Sequence, residues 1–404
     1  MSRVFSDTQL ALSTPLHTME IATLKDWINI NSGSLNQEGL SRMADALSLA
    51  LAALPGRLER IPGQPYTDLD DSIVHPGDCL CLHFNESAPI QVLLSGHMDT
   101  VFGVDHPFQS CWEDGALLRG PGVADMKGGL FVMIAALKAF LSDGPTRVGG
   151  KVLINGDEEI GSIGSGDLLR SMARACHLGL VFESALPDGA LINQRKGTAT
   201  IRLIAKGIAA HTGRDFSKGR NALVAMADLA NACHGLNQEF PEALLNVGRL
   251  QGGGPVNVVP DYAEAWLNIR TDDPEMFHTI ITAIEDRVRD VNSRHPDIRF
   301  EMRTGATRLP RRETAAETIL RAKWNGVESA LGLPCSGTRS TGGTSDGNIF
   351  AEVNLPHLDG VGVHGGDIHS DQEFCLLESI PTQIAKTTAF LRTLEANGWS
   401  SIPS

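Results

Sequence analysis

Residues 151–162 read KVLINGDEEIGS, an apolar strand that runs directly into three acids and a glycine. Similar apolar stretches occur at 90–96 (IQVLLSG) and 178–184 (LGLVFES), and segments with helical periodicity at 127–141 and 166–175 separate them. Alternation of strand, helix and strand is typical of a parallel sheet with helices on its faces. The sequence therefore predicts an α/β fold with a mixed, mostly parallel sheet and helices on both faces.

A different pattern begins at residue 197. Strand, helix, two strands, helix and strand follow one another as far as residue 307, and this βαββαβ order is typical of a ferredoxin-like α+β unit. Helices and a buried strand then resume. We therefore expect a smaller domain, 197–307, inserted between two parts, 1–196 and 308–404, of a larger domain.

Composition excludes two classes of protein. The 404 residues carry a formal net charge of -14, which disfavours nucleic acid as a partner because nucleic-acid binding needs a basic face. No apolar run approaches the roughly 20 residues that span a bilayer, and polar residues interrupt the first twenty, so we expect neither a membrane span nor a secretory signal. Seven cysteines without a C-x-x-C pair indicate packed thiols, and thus a cytoplasmic protein.

Histidines and acids follow the predicted strands or lie in glycine-rich turns. In open α/β sheets, ligands bind at the carboxyl ends of the strands. Each of these residues alone has an ordinary explanation, such as a turn histidine or a helix-capping aspartate. Two histidines and three carboxylates together match the ligands of a metal site. The candidate ligands are His97, Asp125, Glu159, Glu183 and His369.

The two adjacent glutamates suggest a division of labour. Neighbouring side chains on an extended chain point to opposite sides, so Glu158 and Glu159 need not serve the same purpose. Metal-assisted hydrolysis requires both a metal ligand and a separate base beside the attacking water. If Glu159 binds a metal, Glu158 is placed to act as that base. Asp99, two residues after His97, is placed to orient the imidazole ring of that histidine.

Seven sequence blocks occur in the order found in one family. They are SGHMDTV, GPGVADMKGG, GDEEIGS, VFES, AKGIAAHTG, GGGPVNVVP and the region from GGTSDGN to GGDIHSDQE. In these blocks the chain resembles the M20 metallopeptidases, and within them the glutamate carboxypeptidase (carboxypeptidase G) group. The resemblance implies a catalytic metal-binding domain formed by 1–196 and 308–404, and a dimerisation or lid domain formed by 197–307.

The resemblance also implies specific roles. Two Zn²⁺ ions, with Co²⁺ or Mn²⁺ as possible substitutes, would be held by His97 and Glu183 on one side, Glu159 and His369 on the other, and Asp125 between them. Glu158 would be the general base and Asp99 the residue that orients His97. The peptide bond after Asp125 is cis in the family.

The resemblance assigns the substrate contacts to the inserted domain. Arg270 and Asn257 would bind a free carboxylate, and His211 would reach the metals of a partner subunit and stabilise the oxyanion, which implies a homodimer. Two residues bear on specificity. Asn268 replaces an acid that the family often has two residues before the arginine. Asn348 follows SDG, where some related desuccinylases and deacetylases carry arginine; asparagine here resembles carboxypeptidase G-like members and favours a carboxypeptidase over a desuccinylase.

The predicted function is hydrolysis of an amide or peptide bond next to a free α-carboxylate, with an N-acyl amino acid, a folyl-glutamate or a short peptide as substrate. Alternatives of the same chemistry are an N-acyl-amino-acid deacylase, similar to acetylornithine deacetylase or aminoacylase, and a dipeptidase. A binding protein that has lost catalysis would lack a ligand or the base, and none is missing. A nucleotide-binding sheet is disfavoured because no G-x-G-x-x-G follows the first strand.

Overall fold

The computed structural model describes residues 18–144 and 146–400. The helices in this part of the chain are α1 (Thr18–Ile28), α2 (Gln37–Leu51), α3 (Gly128–Leu141), α4 (Gly166–Arg174), α5 (Ala222–Glu239), α6 (Pro274–Arg294), α7 (Ala315–Ala330), α8 (Asp346–Glu352) and α9 (Ser379–Asn397).

The strands of the same residues form one large sheet, one four-stranded sheet and smaller ladders. They are β1 (Arg57–Ile61), β2 (Tyr66–Thr67), β3 (Ile73–Val74), β4 (Gly77–Phe84), β5 (Ile90–His97), β6 (Trp112–Asp114), β7 (Leu117–Arg119), β8 (Val148–Gly156), β9 (Leu178–Val181), β10 (Leu191–Arg195), β11 (Gly197–Lys206), β12 (Ala210–His211), β13 (Leu244–Gly252), β14 (Val258–Val259), β15 (Tyr262–Thr271), β16 (Arg299–Arg308), β17 (Arg311–Arg312), β18 (Thr338–Thr341), β19 (His357–Asp359), β20 (Gly365–Gly366) and β21 (Phe374–Leu376).

The large sheet has nine strands in the order β1-β4-β8-β5-β9-β19-β10-β17, with β18 also paired to β10. The four central strands β8, β5, β9 and β19 run parallel. Pairings toward both edges are antiparallel, apart from the parallel pair of β10 with β18. The predicted mixed α/β sheet is confirmed, but the expectation that it is mostly parallel is wrong, because four of its eight strand pairings are antiparallel.

Apolar side chains fill both faces of the large sheet. Along β8, Val152 and Ile154 join the core under α3 and α9, whereas Leu153 points to a second core that contains Leu169 of α4 and Phe350 of α8. This alternation follows from the period-two geometry of a strand. Because both faces are covered, the central strands β8, β5 and β9 are largely apolar, as is typical of parallel sheets.

The second sheet has four antiparallel strands in the order β13-β15-β11-β16. Helices α5 and α6 pack against it and contribute to a separate hydrophobic core, which includes Leu203, Leu229, Leu267 and Ile280. This strand order is the one expected of a βαββαβ unit. The division of the chain at residues 197 and 307 into separate domains stays a prediction.

Three further predictions concern the environment of the protein. In the described ranges, no helix combines the length and the apolar character that a membrane crossing requires. All seven cysteines are free. The expectation that the first twenty residues carry no secretory signal falls mainly on residues 1–17, which lie outside the described residues.

Candidate metal centre

The parallel centre of the large sheet gathers the predicted ligands at one edge. His97 is the last residue of β5, the turn with Glu158 and Glu159 follows β8, and Glu183 lies two residues after β9. Since these strands run parallel, their carboxyl ends meet at the same edge of the sheet. This edge is where α/β sheets bind their ligands.

Asp125 and the two histidines form the centre of the site. The imidazole Nε2 of His97 lies 3.1 Å from Asp125 Oδ1, and Nε2 of His369 lies 3.2 Å from Asp125 Oδ2. Each carboxylate oxygen of Asp125 thus faces a different histidine. Ligand atoms within 4.8 Å of one another form two groups, which are His97, Asp125 and Glu183, and Asp125, Glu159 and His369.

The two glutamates complete these groups. Glu183 Oε1 is 3.6 Å from His97 Nε2, and Glu159 Oε2 is 3.2 Å from His369 Nε2. The other carboxylate oxygen of Glu159, Oε1, is buried and has no hydrogen-bond partner among the described residues. A buried carboxylate oxygen without a partner is costly unless a cation compensates it. The nitrogen and oxygen donors and the orphaned oxygen fit a pair of divalent metal ions.

The pKa values reflect this crowding of acids. Burial raises the pKa of Glu158 to about 8, that of Glu159 to about 7 and that of Glu183 well above its ordinary value. Burial alone would also raise the pKa of Asp125, but hydrogen bonds to His369 and His97 and the charges of these histidines hold it below its ordinary value. Hydrogen bonds to Asp125 and Glu159 raise the pKa of His369 to about 10.

The loop that carries Asp125 is fixed by Glu373. Asp125 lies in an irregular turn, Val123–Lys127, and its peptide bond to Met126 is cis, as the resemblance implied. The buried Glu373 carboxylate accepts hydrogen bonds from the backbone N–H groups of Gly122 (3.0 Å), Ala124 (2.8 Å) and Asp125 (3.0 Å). The position of Asp125 between the two histidines therefore does not depend on its contacts with them alone.

Close backbone approach brings this turn against the sheet. A Cβ on Gly129, at the start of α3, would lie 1.9 Å from the carbonyl oxygen of Phe182. A Cβ on Gly96 would lie 2.4 Å from Met126 Cε. The contact of Gly129 is with backbone, so a larger residue there would displace the turn, whereas at Gly96 the Met126 side chain would have to shift.

The three consecutive acids have separate environments. The carboxylate of Asp157 accepts hydrogen bonds from the backbone N–H groups of Gly164 (2.9 Å) and Ser165 (3.2 Å), so it stabilises its own loop. The N–H groups of Glu158 and Glu159 each donate to a different oxygen of Asp99, both at 3.1 Å. The repulsion within the acidic run is thus reduced because only two of its side chains face the site.

Asp99 connects the glutamate pair to His97. Its Oδ2 also accepts a hydrogen bond from Ser34 Oγ at 2.7 Å. His97 Nδ1 lies 3.0 Å from the backbone carbonyl oxygen of Asp99 and 3.3 Å from its Oδ1. A hydrogen bond on Nδ1 leaves Nε2 available for a metal, which is the usual arrangement for a ligating histidine.

Glu158 lies beside the ligand groups and belongs to neither of them. Its side chain is 9% exposed, and the nearest cation is Arg308, whose Nη2 is 3.6 Å from Glu158 Oε1. A carboxylate next to, but outside, the metal-ligand set is available to exchange protons with a water molecule.

Two residues predicted to bear on substrate binding and specificity, Arg270 and Asn348, form their hydrogen bonds outside the candidate ligand groups. Arg270 donates from Nη1 to the carbonyl of Gly342 at 2.7 Å and from Nε to Asn268 Oδ1 at 3.2 Å. Asn348 is buried in α8 and donates to the carbonyl of Leu309 at 2.7 Å. Asn348 therefore stabilises the chain and does not line an open cleft.

His211 and Asn257 lie next to each other on the surface. Strands β12 and β14 pair in this region, and the backbone N–H of Thr212 donates to the carbonyl of Asn257 at 3.0 Å. His211 Nδ1 accepts a hydrogen bond from the N–H of Gly213 at 3.1 Å. Within residues 18–144 and 146–400, no hydrogen bond or ion pair joins His211 or Asn257 to the metal-ligand groups.

Three residues near the site had not been predicted from the sequence: Ser34, Arg308 and Glu373. Glu373 follows His369 by four residues within a block that was recognised, so its position offered a usable signal. Ser34 and Arg308 come from segments that carry no ligand, and their contacts depend on tertiary packing.

The family model for peptidase family M20/M25/M40 matches residues 93–393. Among curated proteins, carboxypeptidase G2 of Pseudomonas sp. (strain RS-16) is 26% identical over 385 residues, covering 93% of this chain and 89% of that protein. Succinyl-diaminopimelate desuccinylase of Pseudoalteromonas translucida (strain TAC 125) is 30% identical over 286 residues, covering 66% of this chain and 72% of that protein.

Among solved structures, the YXEP protein of Bacillus subtilis, described as a dinuclear metal binding peptidase from the M20 family, has a TM-score of 0.67 at 13% identity. The match covers 94% of this chain and 98% of that chain. At 13% identity this comparison shows that the two proteins share a fold, and no more. The family match, which spans most of the chain and includes every candidate ligand, makes this protein a member of peptidase family M20/M25/M40 and thus an enzyme of the metallopeptidase class.

Proposed function

We propose that the protein is a two-metal amidohydrolase that releases a C-terminal amino acid, such as glutamate, from an N-acylated or peptidic substrate. The observation that carries this proposal is the shared position of Asp125, with one oxygen toward each histidine. A carboxylate between two ligand groups is the arrangement required to hold two metals close together. Zinc suits the nitrogen and oxygen donors, and Co²⁺ or Mn²⁺ are possible substitutes.

The proposed roles divide the site into ligands and a base. His97 and Glu183 would hold one metal, Glu159 and His369 would hold the other, and Asp125 would be shared between them. When bound, such ions polarise the scissile carbonyl and lower the pKa of a water molecule. Glu158 takes a proton from the attacking water at its carboxylate and delivers it to the leaving nitrogen. Asp99 holds the His97 ring and the turn with Glu158 and Glu159 in a fixed position relative to each other, because it contacts both.

Arg270 is the proposed site for the substrate carboxylate. Its guanidinium has no carboxylate partner among the described residues, and its neighbour is the neutral amide of Asn268. An acid at position 268 would neutralise the arginine, whereas asparagine orients it and leaves its positive charge for a ligand. The planar guanidinium matches a carboxylate in geometry. We assign Asn257 to the same task.

His211 is proposed to act from a partner subunit in a homodimer. It is exposed, its Nδ1 accepts a hydrogen bond from its own loop, and its Nε2 is thus left to donate. The edge strand β13 is largely exposed over its second half and could pair with a second copy. A hydrogen bond donated to the developing oxyanion becomes stronger as the transition state forms.

The free cysteines support a cytoplasmic location.

A second candidate is an N-acyl-amino-acid deacylase such as a desuccinylase. The similarity to succinyl-diaminopimelate desuccinylase favours it. The two candidates share the same site and differ in the acyl group that leaves, so a comparison of substrates separates them.

Substrates with and without a free α-carboxylate test the proposal. We expect the metal-loaded enzyme to cleave N-acyl-glutamates or folyl-glutamates and to act poorly on the corresponding α-amides. Hydrogen bonds to charged groups contribute about 1.5–3 kcal/mol, so Arg270→Met should raise KM for the acid about 10- to 100-fold. Steady-state kinetics on the acid and on the amide give KM and kcat for wild type and variant.

Arg299→Met, an exposed arginine on the same sheet, is the matched control and should not change KM. Equal rates on acid and amide would contradict the carboxylate requirement. A preference for N-succinyl-diaminopimelate over every glutamate conjugate would favour the second candidate.

A further inference from the structure

A buried arginine lies behind the Glu158 carboxylate. Arg308 Nη2 is 3.6 Å from Glu158 Oε1, and the two side chains are 3% and 9% exposed. Opposite charges at this distance interact much more strongly away from water than at the surface. Neither residue belongs to the groups of metal-ligand atoms. The contact is therefore separate from metal binding.

The guanidinium of Arg308 is held in a fixed position. Its Nη2 donates to Ser162 Oγ at 2.8 Å and to Asp346 Oδ1 at 3.1 Å. Asp346 is held in turn by Asn155, whose Nδ2 donates to Asp346 Oδ2 at 2.9 Å. Polar contacts that are all buried restrict side-chain motion, so Arg308 presents its charge to Glu158 from one direction.

The two members of the pair come from different sheets. Arg308 is the last residue of β16 and pairs with Thr198 at the start of β11, so the second sheet places it. Glu158 lies in the turn after β8 of the large sheet. The orientation of Glu158 thus depends on the way the two sheets meet, and not only on its own turn.

We propose that Arg308 is a positioning residue for Glu158. Its guanidinium holds the Glu158 carboxylate in the orientation from which it accepts a proton from the attacking water. This inference rests on the proposed hydrolase function. It goes further by assigning a role to a residue that lies outside the metal-ligand groups and that the proposed function leaves unassigned.

A cavity next to Arg308 makes this role testable by chemical rescue. The cavity has a volume of about 450 Å³, and its lining includes Arg308, Ser162, Arg170 and Arg303. Truncation of Arg308 would extend this cavity toward Glu158. A guanidinium ion could then enter and replace the lost group, whereas urea has nearly the same shape and no charge.

The experiment compares Arg308→Ala with Arg303→Ala, which removes an arginine from the same cavity lining. We expect R308A to lower kcat about 10- to 100-fold, with KM and metal content unchanged, and R303A to retain kcat. Added guanidinium at millimolar concentration should raise kcat of R308A severalfold, and urea should not. Unchanged kcat in R308A, equal rescue by urea, or loss of metal together with kcat would overturn the proposal.

Crystal structures of the metal-free proteins give a readout that does not depend on turnover. The Glu158 carboxylate should leave its position in R308A and return to it in crystals soaked with guanidinium. An unmoved Glu158 would contradict the proposal, even if the wild-type enzyme hydrolysed no amide and the proposed function itself failed. If R308A does not fold, the position of Glu158 is determined in crystals of Arg308→Lys instead. It keeps the charge, so Glu158 should stay in place, and a displaced carboxylate would overturn the proposal.

Discussion

Glu158→Gln should lower kcat by about 10²–10⁴-fold and leave two metals bound per subunit. The expected loss is that of a general base in the transition state. The glutamine is nearly isosteric, and Glu158 is outside both ligand groups, so the metals lose no donor. Steady-state kinetics and elemental analysis of the same preparation measure both quantities.

Glu159→Gln is the matched control because it changes the adjacent residue in the same way. Glu159 Oε2 lies 3.2 Å from His369 Nε2 in the second ligand group, so this variant should lose one metal when dialysed against a chelator. If E158Q lost metal and E159Q kept it, the assignment of base and ligand would be reversed.

His211→Ala should lower kcat by about 10²–10³-fold, the usual effect of removing one donor at an oxyanion. If this histidine acts across a dimer, mixing the inactive His211→Ala and Glu158→Ala proteins should restore activity. A random exchange makes half of the dimers heterodimers, and each of these has one intact site, so about a quarter of wild-type activity should return. Activity is followed after subunit exchange has been verified with differently tagged chains.

Thr212→Ala provides a control for the exposed loop itself, since it changes the next residue and keeps the imidazole. It should retain most of kcat. Verified exchange without recovery of activity, or a fully active monomer, would contradict a shared site.

The centre of the fold could be predicted from the sequence because its strands are buried on both faces. The apolar runs at β5, β8 and β9 contrast clearly with the helical segments between them. The edge strands were harder to predict. Strand β1 reads RLERI and strand β17 only two arginines, and neither carries the apolar pattern that indicates a strand. Pairing with neighbours, more than side-chain pattern, makes such segments extended.

The clustering of the candidate ligands could be predicted because each of them follows a strand or lies in a recognisable block. The residues that hold them in place could not be predicted in this way. Ser34 reaches Asp99 from a loop 65 residues earlier in the chain, and Arg308 reaches Ser162 across 146 residues. Contacts at such separations are set by how the elements pack, and neither residue lies in a periodic pattern that would indicate a partner.

Anomalous diffraction from crystals grown with zinc or cobalt tests the central claim most directly, namely that Asp125 lies between two metals. We expect two anomalous peaks per subunit, about 3.5–4 Å apart. One peak should lie near His97 and Glu183, and the other near Glu159 and His369, with Asp125 in contact with both. A single fully occupied peak, with one ligand group unused at saturating metal, would contradict the two-metal site.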